Sequence, residues 1–434
     1  MKKNKRVGLA LSGGGYRATI YHLGTLKKLE ELKLLDKIDV ISTNSGGSIT
    51  GAAFGLYGEN FENFEKIIRK GVKSSVIMGV ITSPLFLFLG FITLMFFSAI
   101  IYFLFTSIAW LSLLLFVFYL GTFLLFQFKI LPISSINERM YDKYFFHKKS
   151  LSDLSKSKIF AINATNVETG TLFTFSREKM NDSSYSHPKD KGKPIIFKHK
   201  NFPISRAVAA STCVPFVFSP VKIAKSFYVN KGDTKRANPR LIDGGIYDNQ
   251  GVHKIAFQNS TYSSDIIIVS DAGNELPFKN TYKNVLPLLI RTTDIFMNRI
   301  KNFQMIQLIY NRNNQQEVAY QSLGWNLEDT LIEFISNIKN GFITDAVINS
   351  HGISFSDIQN NKWDKIKEEL SIKIQYDEII KDANSKKQME IARGVSTNLT
   401  KLKDSQISAL INHASIMTEL QVKLYCPSLF KKPI

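Results

Sequence analysis

The chain has 434 residues, 44% of them hydrophobic, and a formal net charge of +19. The length allows two or three domains, and the apolar content is enough for a substantial core, which excludes general disorder. The basic charge indicates an anionic partner, either nucleic acid or acidic lipid headgroups, while Cys213 and Cys426 are too few for a disulfide framework, so a reducing compartment is expected.

The first predicted element is a short apolar strand at 7–11 that runs into a triple glycine, Gly13, Gly14 and Gly15, followed by a Leu-rich helix. The N–H groups of such a loop, backed by the helix dipole, can hold a developing negative charge, as the oxyanion of an acyl transfer requires. Arg17 is a candidate to support the loop or the anion. The alternative is phosphate binding, but no Gly-Lys-Ser/Thr sequence follows and no acidic ribose-binding residue ends a second strand.

A second strand at 40–44 ends at Ser45, and a helix of small residues begins immediately after it. A sharp strand-to-helix turn of this kind lifts a serine hydroxyl clear of the sheet and needs glycine beside it, here Gly46. Ser45 is therefore a candidate hydrolase nucleophile. Ser and Gly also form ordinary turns, so an unremarkable loop is the alternative reading of this run.

From residue 74 to 128 the chain carries no Asp, Glu, Lys or Arg and is dense in Phe, Leu and Ile. One membrane span needs about 20 apolar residues, so this stretch predicts two transmembrane helices within 78–128, joined by a turn near Trp110. Basic residues before and after the stretch place both ends, and hence the catalytic domain and the termini, on the cytoplasmic side. They are Lys66, Arg69, Lys70, Lys73 and Lys129. The alternative is a long helical hairpin buried in a soluble core.

An aspartate at a third strand end is followed by two glycines, in the run Asp243-Gly244-Gly245. A carboxylate in that position can accept the serine proton directly. The alternative is a Ser-His-Asp triad closed by His253 or His413, but the first lies only ten positions after the aspartate and the second in an amphipathic helical stretch. The histidines and cysteines lack metal-ligand spacing, so we expect no metal ligands and no cofactor.

The glycine loop, the serine turn and the Asp-Gly-Gly run, in this order, resemble the patatin-like phospholipases over roughly residues 6–275. Four further stretches fit that family's pattern, at 23–26, 162–170, 209–220 and 266–271. Two positions depart from it: Thr43 and Ala18 stand where the family has glycine. Thr43 adds a branched side chain where strand and helix approach closely, so we expect the turn to open slightly or to direct that side chain outward.

The resemblance implies an α/β fold with a three-layer core, a mostly parallel central sheet, and catalysis by a Ser45–Asp243 dyad without histidine. It also implies an oxyanion loop at Gly13, Gly14 and Gly15. We therefore predict a patatin-like catalytic domain at 6–280, interrupted by two transmembrane helices at 78–128. A mainly helical C-terminal region follows at 281–434, where helix-like spacing recurs at 285–310, 327–338 and 405–425.

The implied activity is hydrolysis of ester bonds in membrane phospholipids or similar acyl lipids. A lipid transacylase, and a catalytically weak membrane-bound lipid-binding scaffold, are the alternatives. The apolar insertion favours acidic headgroups over nucleic acid as the anionic partner, since no aromatic and basic pattern indicates nucleic-acid binding. The basic run from Lys189 to Lys200 is a candidate headgroup contact, with a solvated loop as the alternative.

Overall fold

The computed structural model describes residues 5–188, 192–215, 218–274 and 283–430. Within these ranges, strands form one mixed sheet in the order β5-β4-β3-β2-β1-β8-β9, with β7 beside β3 and β6 beside β7. The strands are β1 Val7–Leu11, β2 Val40–Asn44, β3 Ile159–Asn166, β4 Thr171–Phe175, β5 Met180–Asp182, β6 Val221–Lys222, β7 Arg240–Asp243, β8 Ile266–Asp271 and β9 Glu317–Ser322. The β3-β2-β1-β8-β9 part is parallel throughout.

Helices surround this sheet. They are α1 Gly15–Glu31, α2 Gly46–Tyr57, α3 Phe61–Val72, α4 Val76–Ile81, α5 Pro84–Leu104, α6 Trp110–Ile130, α7 Ile133–Tyr141, α8 Ser183–Ser186, α9 Ile204–Ser211, α10 Gly245–Asp248, α11 His253–Ala256, α12 Val285–Leu308, α13 Thr330–Lys339, α14 Asp345–His351, α15 Phe355–Gln359, α16 Trp363–Ile374, α17 Tyr376–Ile380, α18 Lys386–Arg393 and α19 Asp404–Tyr425. The predicted fold class, an α/β core with a mostly parallel sheet and a helical C-terminal region, is confirmed.

Both faces of the parallel strands are buried, as their continuous apolar sequences require. Leu9 and Ile268 belong to the larger apolar cluster, to which α1, α2 and α19 also contribute. Ala10 and Val269, one position along the same strands, belong to a second cluster with residues of α11 and the end of α12. Because successive side chains of a strand point to opposite faces, the sheet lies between two helical layers.

Strand β3 brings the ends of two distant segments together. Its Asn163 pairs with Asn44, the last residue of β2, and its next residue, Ala164, pairs with Asp243, the last residue of β7. Since β2 is parallel and β7 antiparallel to β3, the two strands meet end to end along one edge of it. Ser45 leaves the sheet at this junction.

The region after residue 280 takes part in the central sheet as well as forming helices. Strand β9 pairs in parallel with β8 and forms the sheet edge. Helix α19 packs along α1, and helices α13, α14 and α16 share a separate apolar cluster with it. The helix-like spacing predicted at 285–310, 327–338 and 405–425 corresponds to α12, α13 and α19, while β9 was not predicted.

Helices α5 and α6 form an apolar hairpin that begins and ends a few residues later than the predicted range 78–128. The two helices are linked by a hydrogen bond between Thr93 Oγ1 and Tyr119 Oη at 3.0 Å, and by Ser112 Oγ donating to the Ile100 carbonyl at 2.9 Å. No residue of α5 is buried, and Ser112 is the buried residue of α6. This exposure is opposite to that of a core hairpin, so the alternative of a buried hairpin does not fit the structure.

Candidate active site

The Ser45 hydroxyl donates a hydrogen bond to Asp243 Oδ2 at 2.8 Å, across 198 positions of sequence. Ser45 has φ 47° and ψ −120°, a backbone conformation that non-glycine residues rarely adopt and that turns its side chain away from the sheet. The other carboxylate oxygen, Asp243 Oδ1, accepts the Gly245 N–H at 2.7 Å. The structure thus brings together the two residues that the sequence predicts as nucleophile and base.

Helix α9 holds both sides of this pair through Ser211. The Ser45 N–H donates to Ser211 Oγ at 2.9 Å, and the Ser48 hydroxyl lies 2.8 Å from the same oxygen. The Ser211 carbonyl accepts the N–H of Gly244, the residue after the aspartate, at 3.2 Å. Sequence reasoning did not identify Ser211, although it lies in one of the stretches that fit the family pattern.

Burial raises the pKa of Asp243 from its ordinary value to about 6. The hydrogen bonds from the Gly245 N–H and the Ser45 hydroxyl favour the ionised form and oppose part of this effect. The carboxylate is therefore ionised at neutral pH, yet it is a stronger base than an exposed aspartate. That combination suits a group that must accept a proton from a serine hydroxyl.

Two of the three amides of the glycine loop, which lines the cavity beside Ser45, have no hydrogen-bond acceptor among the described residues. The Gly13 N–H is already engaged, since it donates to the Asn249 carbonyl at 2.9 Å. Gly14 and Gly15 have φ 138° and 57°, which glycine adopts without strain. Among the described residues, no acceptor bonds to the N–H of Gly14, Gly15 or Gly46, the residue after the serine. The amides open to an oxyanion are these three, so the predicted contribution of Gly13 is structural in this arrangement.

A C-terminal segment at 393–398 packs onto the glycine loop. The Tyr16 N–H donates to the Asn398 carbonyl at 2.9 Å, and a Cβ on Gly15 would lie 2.5 Å from that carbonyl oxygen. Arg17 is buried, and its Nη1 donates to the Val395 carbonyl at 3.3 Å. Two roles are predicted for Arg17, support of the loop and binding of an anion. The contact with Val395 agrees with support of the loop.

The Thr43 side chain does not face outward, so that one of the two expected arrangements is wrong. The side chain is buried, its hydroxyl lies 3.0 Å from Ser48 Oγ, and its methyl group fits against Gly51 of α2. A Cβ on Gly51 would lie only 2.5 Å from Thr43 Cγ2. The residue without a side chain is here Gly51 of α2 instead of position 43 of β2, so strand and helix still lie close together. Ala18, the other departure, is buried within α1.

A cavity of about 730 Å³ lies in front of the pair. Ser45, Asp243, Arg17 and the three glycines line one side of it. Helix α12, the segment 393–397 and residues of the stretches 214–215, 246–250 and 273–274 line the rest. The volume falls in the range of sites that bind small molecules or parts of lipids.

Histidine takes no direct part in this arrangement among the residues that the structure describes. The His253 ring stacks on Phe257, and His413 is buried in α19 against Tyr21, so neither closes a triad. His22 bonds to the Ser12 carbonyl at 2.9 Å, and burial lowers its pKa to about 4, which keeps it neutral. Within the same described ranges, no group of three or more His, Cys, Asp or Glu side chains is arranged to hold a metal ion.

A mostly parallel α/β sheet with a serine at the turn after a central strand is the architecture of many acyl hydrolases. The sequence model of the patatin-like phospholipase family matches residues 9–255, more than half of the chain. The chain therefore belongs to the patatin-like phospholipase family, as the resemblance predicts. Membership of this family makes it a lipid acyl hydrolase by class.

Two solved structures are similar to this chain. VipD from Legionella pneumophila has 12% sequence identity and a TM-score of 0.32, with 99% of this chain and 93% of VipD covered. Human GIVD cytosolic phospholipase A2 has 15% identity and a TM-score of 0.38, with 61% of this chain and 42% of the human protein covered. No curated protein sequence matched the chain. At these scores the similarities add nothing about function.

Proposed function

We propose that this protein is a membrane-anchored serine esterase that releases fatty acid from glycerophospholipids or similar acyl lipids, with Ser45 as nucleophile and Asp243 as general base. The observation that carries the proposal is the 2.8 Å hydrogen bond from the Ser45 hydroxyl to the buried Asp243 carboxylate. The cavity beside unpaired amides and the family membership support it further.

The reaction follows from the positions of these groups. Asp243 accepts the proton as Ser45 Oγ bonds to the ester carbonyl carbon, and the amides of Gly14, Gly15 and Gly46 stabilise the resulting oxyanion. Collapse of this intermediate expels the alcohol part of the lipid, which takes the proton from Asp243. Asp243 then deprotonates a water that attacks the acyl-enzyme, and the released fatty acid leaves Ser45 with its hydroxyl proton restored.

Membrane anchoring is supported by the α5–α6 hairpin. Each helix has 21 residues, which at 1.5 Å per residue gives about 30 Å, the thickness of a hydrocarbon core. The most apolar windows have mean hydropathy 2.4 and 2.1. Both legs return to the same body, which requires an even number of crossings, and basic flanking residues favour a cytoplasmic catalytic domain.

Positive surface charge supports contact with acidic headgroups. In the predicted basic run, Lys193, Lys198 and Lys200 are exposed, whereas Lys189 and Lys191 lie outside the described residues. Each basic side chain near an anionic leaflet adds about 1 kcal/mol of attraction. We therefore expect binding to be stronger on vesicles containing acidic lipid.

Serine-reactive phosphonate labelling tests the proposal directly. We expect the purified protein to be labelled, Ser45→Ala to be unlabelled, and the surface control Ser157→Ala to react normally. Product analysis in mixed phospholipid bilayers should then detect free fatty acid that depends on Ser45 and Asp243. Absence of labelling in folded protein would contradict the proposal, and an acylated lipid in place of free fatty acid would indicate transacylation.

A further inference from the structure

Helix α12 covers one side of the catalytic cavity and is fixed there by a polar face. Gln304 Nε2 donates to Asp248 Oδ1 at 2.9 Å, and Lys301 Nζ lies 3.3 Å from the buried Asp271 carboxylate. Met297 lines the cavity, and its terminal methyl group lies close to Gly245, two residues after Asp243. This helix face is therefore part of the active-site wall.

The opposite face of α12 is apolar and exposed. We call it the outer face, and each of its large apolar side chains is at least half exposed: Val285, Leu288, Ile295, Phe296, Phe303 and Ile306. An amphipathic helix on a soluble protein normally turns its apolar side inward and its polar side to water. Here the polarity is reversed, and no described residue covers the outer face. Arg299 and Asn302 are exposed on the same face and interrupt this apolar surface. An exposed apolar surface of this kind marks an interaction site.

The other walls of the cavity are bonded to the base of the α5–α6 hairpin. Where α4 begins, the Val76 N–H donates to the Leu399 carbonyl at 3.1 Å, and Leu399 follows the cavity-lining segment 393–397 by two residues. On the other leg, Ser134 of α7 hydrogen-bonds to the Ser219 carbonyl, just beyond the part of the wall that includes Val214. Two parts of the cavity wall are therefore tied to the segments that lead into and out of the hairpin.

The charges of α12 favour a lipid surface over a second protein. Apart from Lys301, whose charge is paired with that of Asp271, the helix carries Arg291 and Arg299 against a single acidic residue, Asp294. Among the described residues, α5 and α6 are the helices long and apolar enough to cross a membrane, and α12 is not one of them. A basic amphipathic helix that does not span lies in the interface plane, with its apolar side among the acyl chains.

We propose that the outer face of α12 lies in the surface of the bilayer that the hairpin crosses, so that the cavity opens directly onto acidic phospholipid. This rests on the proposed function, because it assumes that the hairpin spans a membrane. A substrate lipid then moves from the leaflet into the cavity along α12 without passing through water.

Site-directed spin labelling of the full chain locates the outer face. Phe303→Cys is labelled and reconstituted in vesicles of phosphatidylcholine and phosphatidylglycerol, with Ile372→Cys as control, because Ile372 is 73% exposed on α16. We expect the label at 303 to be accessible to oxygen and shielded from a water-soluble nickel complex, and the label at 372 to behave in the opposite way. Equal nickel access at both positions overturns the proposal. Spin–spin broadening at 303 that persists on dilution in lipid assigns the face to a second copy and also overturns it.

Activity provides an independent readout. The double variant F296S/F303S should lower the ratio of the rate on bilayer phospholipid to the rate on a soluble short-chain ester by about tenfold or more, because the outer face loses two aromatic side chains that would insert into the lipid. The matched variant I332S/I372S, altered at exposed apolar residues elsewhere, should keep the ratio of the unmodified protein. An unchanged ratio in F296S/F303S overturns the proposal. If no hydrolysis depends on Ser45, the proposed function fails, while the spin-label result still reports the position of α12.

Discussion

The side chain of Asp243 is buried, and each of its two carboxylate oxygens accepts one hydrogen bond. The Ser45 hydroxyl bonds to one oxygen and the Gly245 N–H to the other. Burial outweighs both bonds, and the pKa rises to about 6. A base of this strength needs no histidine between it and the serine.

The rate of serine acylation should follow the ionisation of Asp243. Below pH 6 the carboxylate is increasingly protonated and cannot accept the Ser45 proton, so we expect phosphonate labelling to slow by about tenfold for each pH unit. Above pH 7 the rate should be level. The measurement is the labelling rate between pH 4.5 and 8.5 at constant ionic strength. A rate already level at pH 5 would contradict a raised pKa.

The same raised pKa makes a stability prediction. The native state binds the Asp243 proton more tightly than the unfolded state, so this contribution to stability is complete below about pH 4 and is lost as the pH rises through 6. Asp243→Asn cannot ionise, and at pH 8 we expect it to be more stable than the unmodified protein by roughly 2–3 kcal/mol. Thermal unfolding at pH 8 and pH 4 checks this, since the advantage should be mostly absent at pH 4, close to the ordinary pKa of an aspartate.

Ser211→Ala tests the hydrogen bond by which α9 holds the turn at Ser45. The change leaves the buried Ser45 N–H without an acceptor, which costs about 1–3 kcal/mol and removes a restraint on the strained turn. We expect labelling of Ser45 to slow roughly tenfold while the protein remains folded. Ser205→Ala is the matched control on the same helix, because Ser205 is buried but makes no side-chain hydrogen bond to a described residue. Equal labelling rates in the two variants would exclude a positioning role for Ser211.

At the scale of elements, β2 and α2 approach each other closely because Gly51 accommodates the Thr43 methyl group. Gly51→Ala should lower the free energy of unfolding by about 1–3 kcal/mol, since its Cβ would lie 2.5 Å from Thr43 Cγ2. Thr43→Ser removes that methyl group and keeps the hydroxyl that bonds to Ser48. A double-mutant cycle of the two changes should therefore recover most of the loss. Additive destabilisation would mean that the two side chains do not compete for one space.

Short sequence patterns predict the separate parts of the site, but they do not predict the long-range contacts that hold these parts in place. The glycine loop, the turn at Ser45 and the run at Asp243 each have a local pattern, and the order of the three predicts the fold. The bond between Gly13 and Asn249 joins residues far apart in the chain, and no short pattern indicates it. The packing of 393–398 on the loop is also a long-range contact. Strand β9 is six residues long with both faces buried, a pattern too short to separate from a helical turn.

At the scale of the whole molecule, the hairpin is an appendage to a body that folds around other contacts. Replacing 84–130 by a short Gly/Ser linker should release the chain from membranes into a carbonate-soluble fraction, because α5 and α6 bury almost nothing against the rest of the protein. Helices α4 and α7, which flank the hairpin, pack against each other without it, so we expect phosphonate labelling of Ser45 to persist. Sedimentation with carbonate-washed membranes would contradict the role of the hairpin as the anchor.

The packing of the segment near Asn398 on the loop beside Tyr16 has a consequence for biosynthesis. Ser45 is synthesised first, then the α5–α6 hairpin and, much later, Asp243. The segment 393–398, which packs on the glycine loop, follows last of these. In the proposed membrane-anchored arrangement, the growing polypeptide is attached to the bilayer while it still lacks Asp243 and the segment that packs on the glycine loop. Translation order would therefore delay the proposed esterase activity until residues 393–398 have emerged.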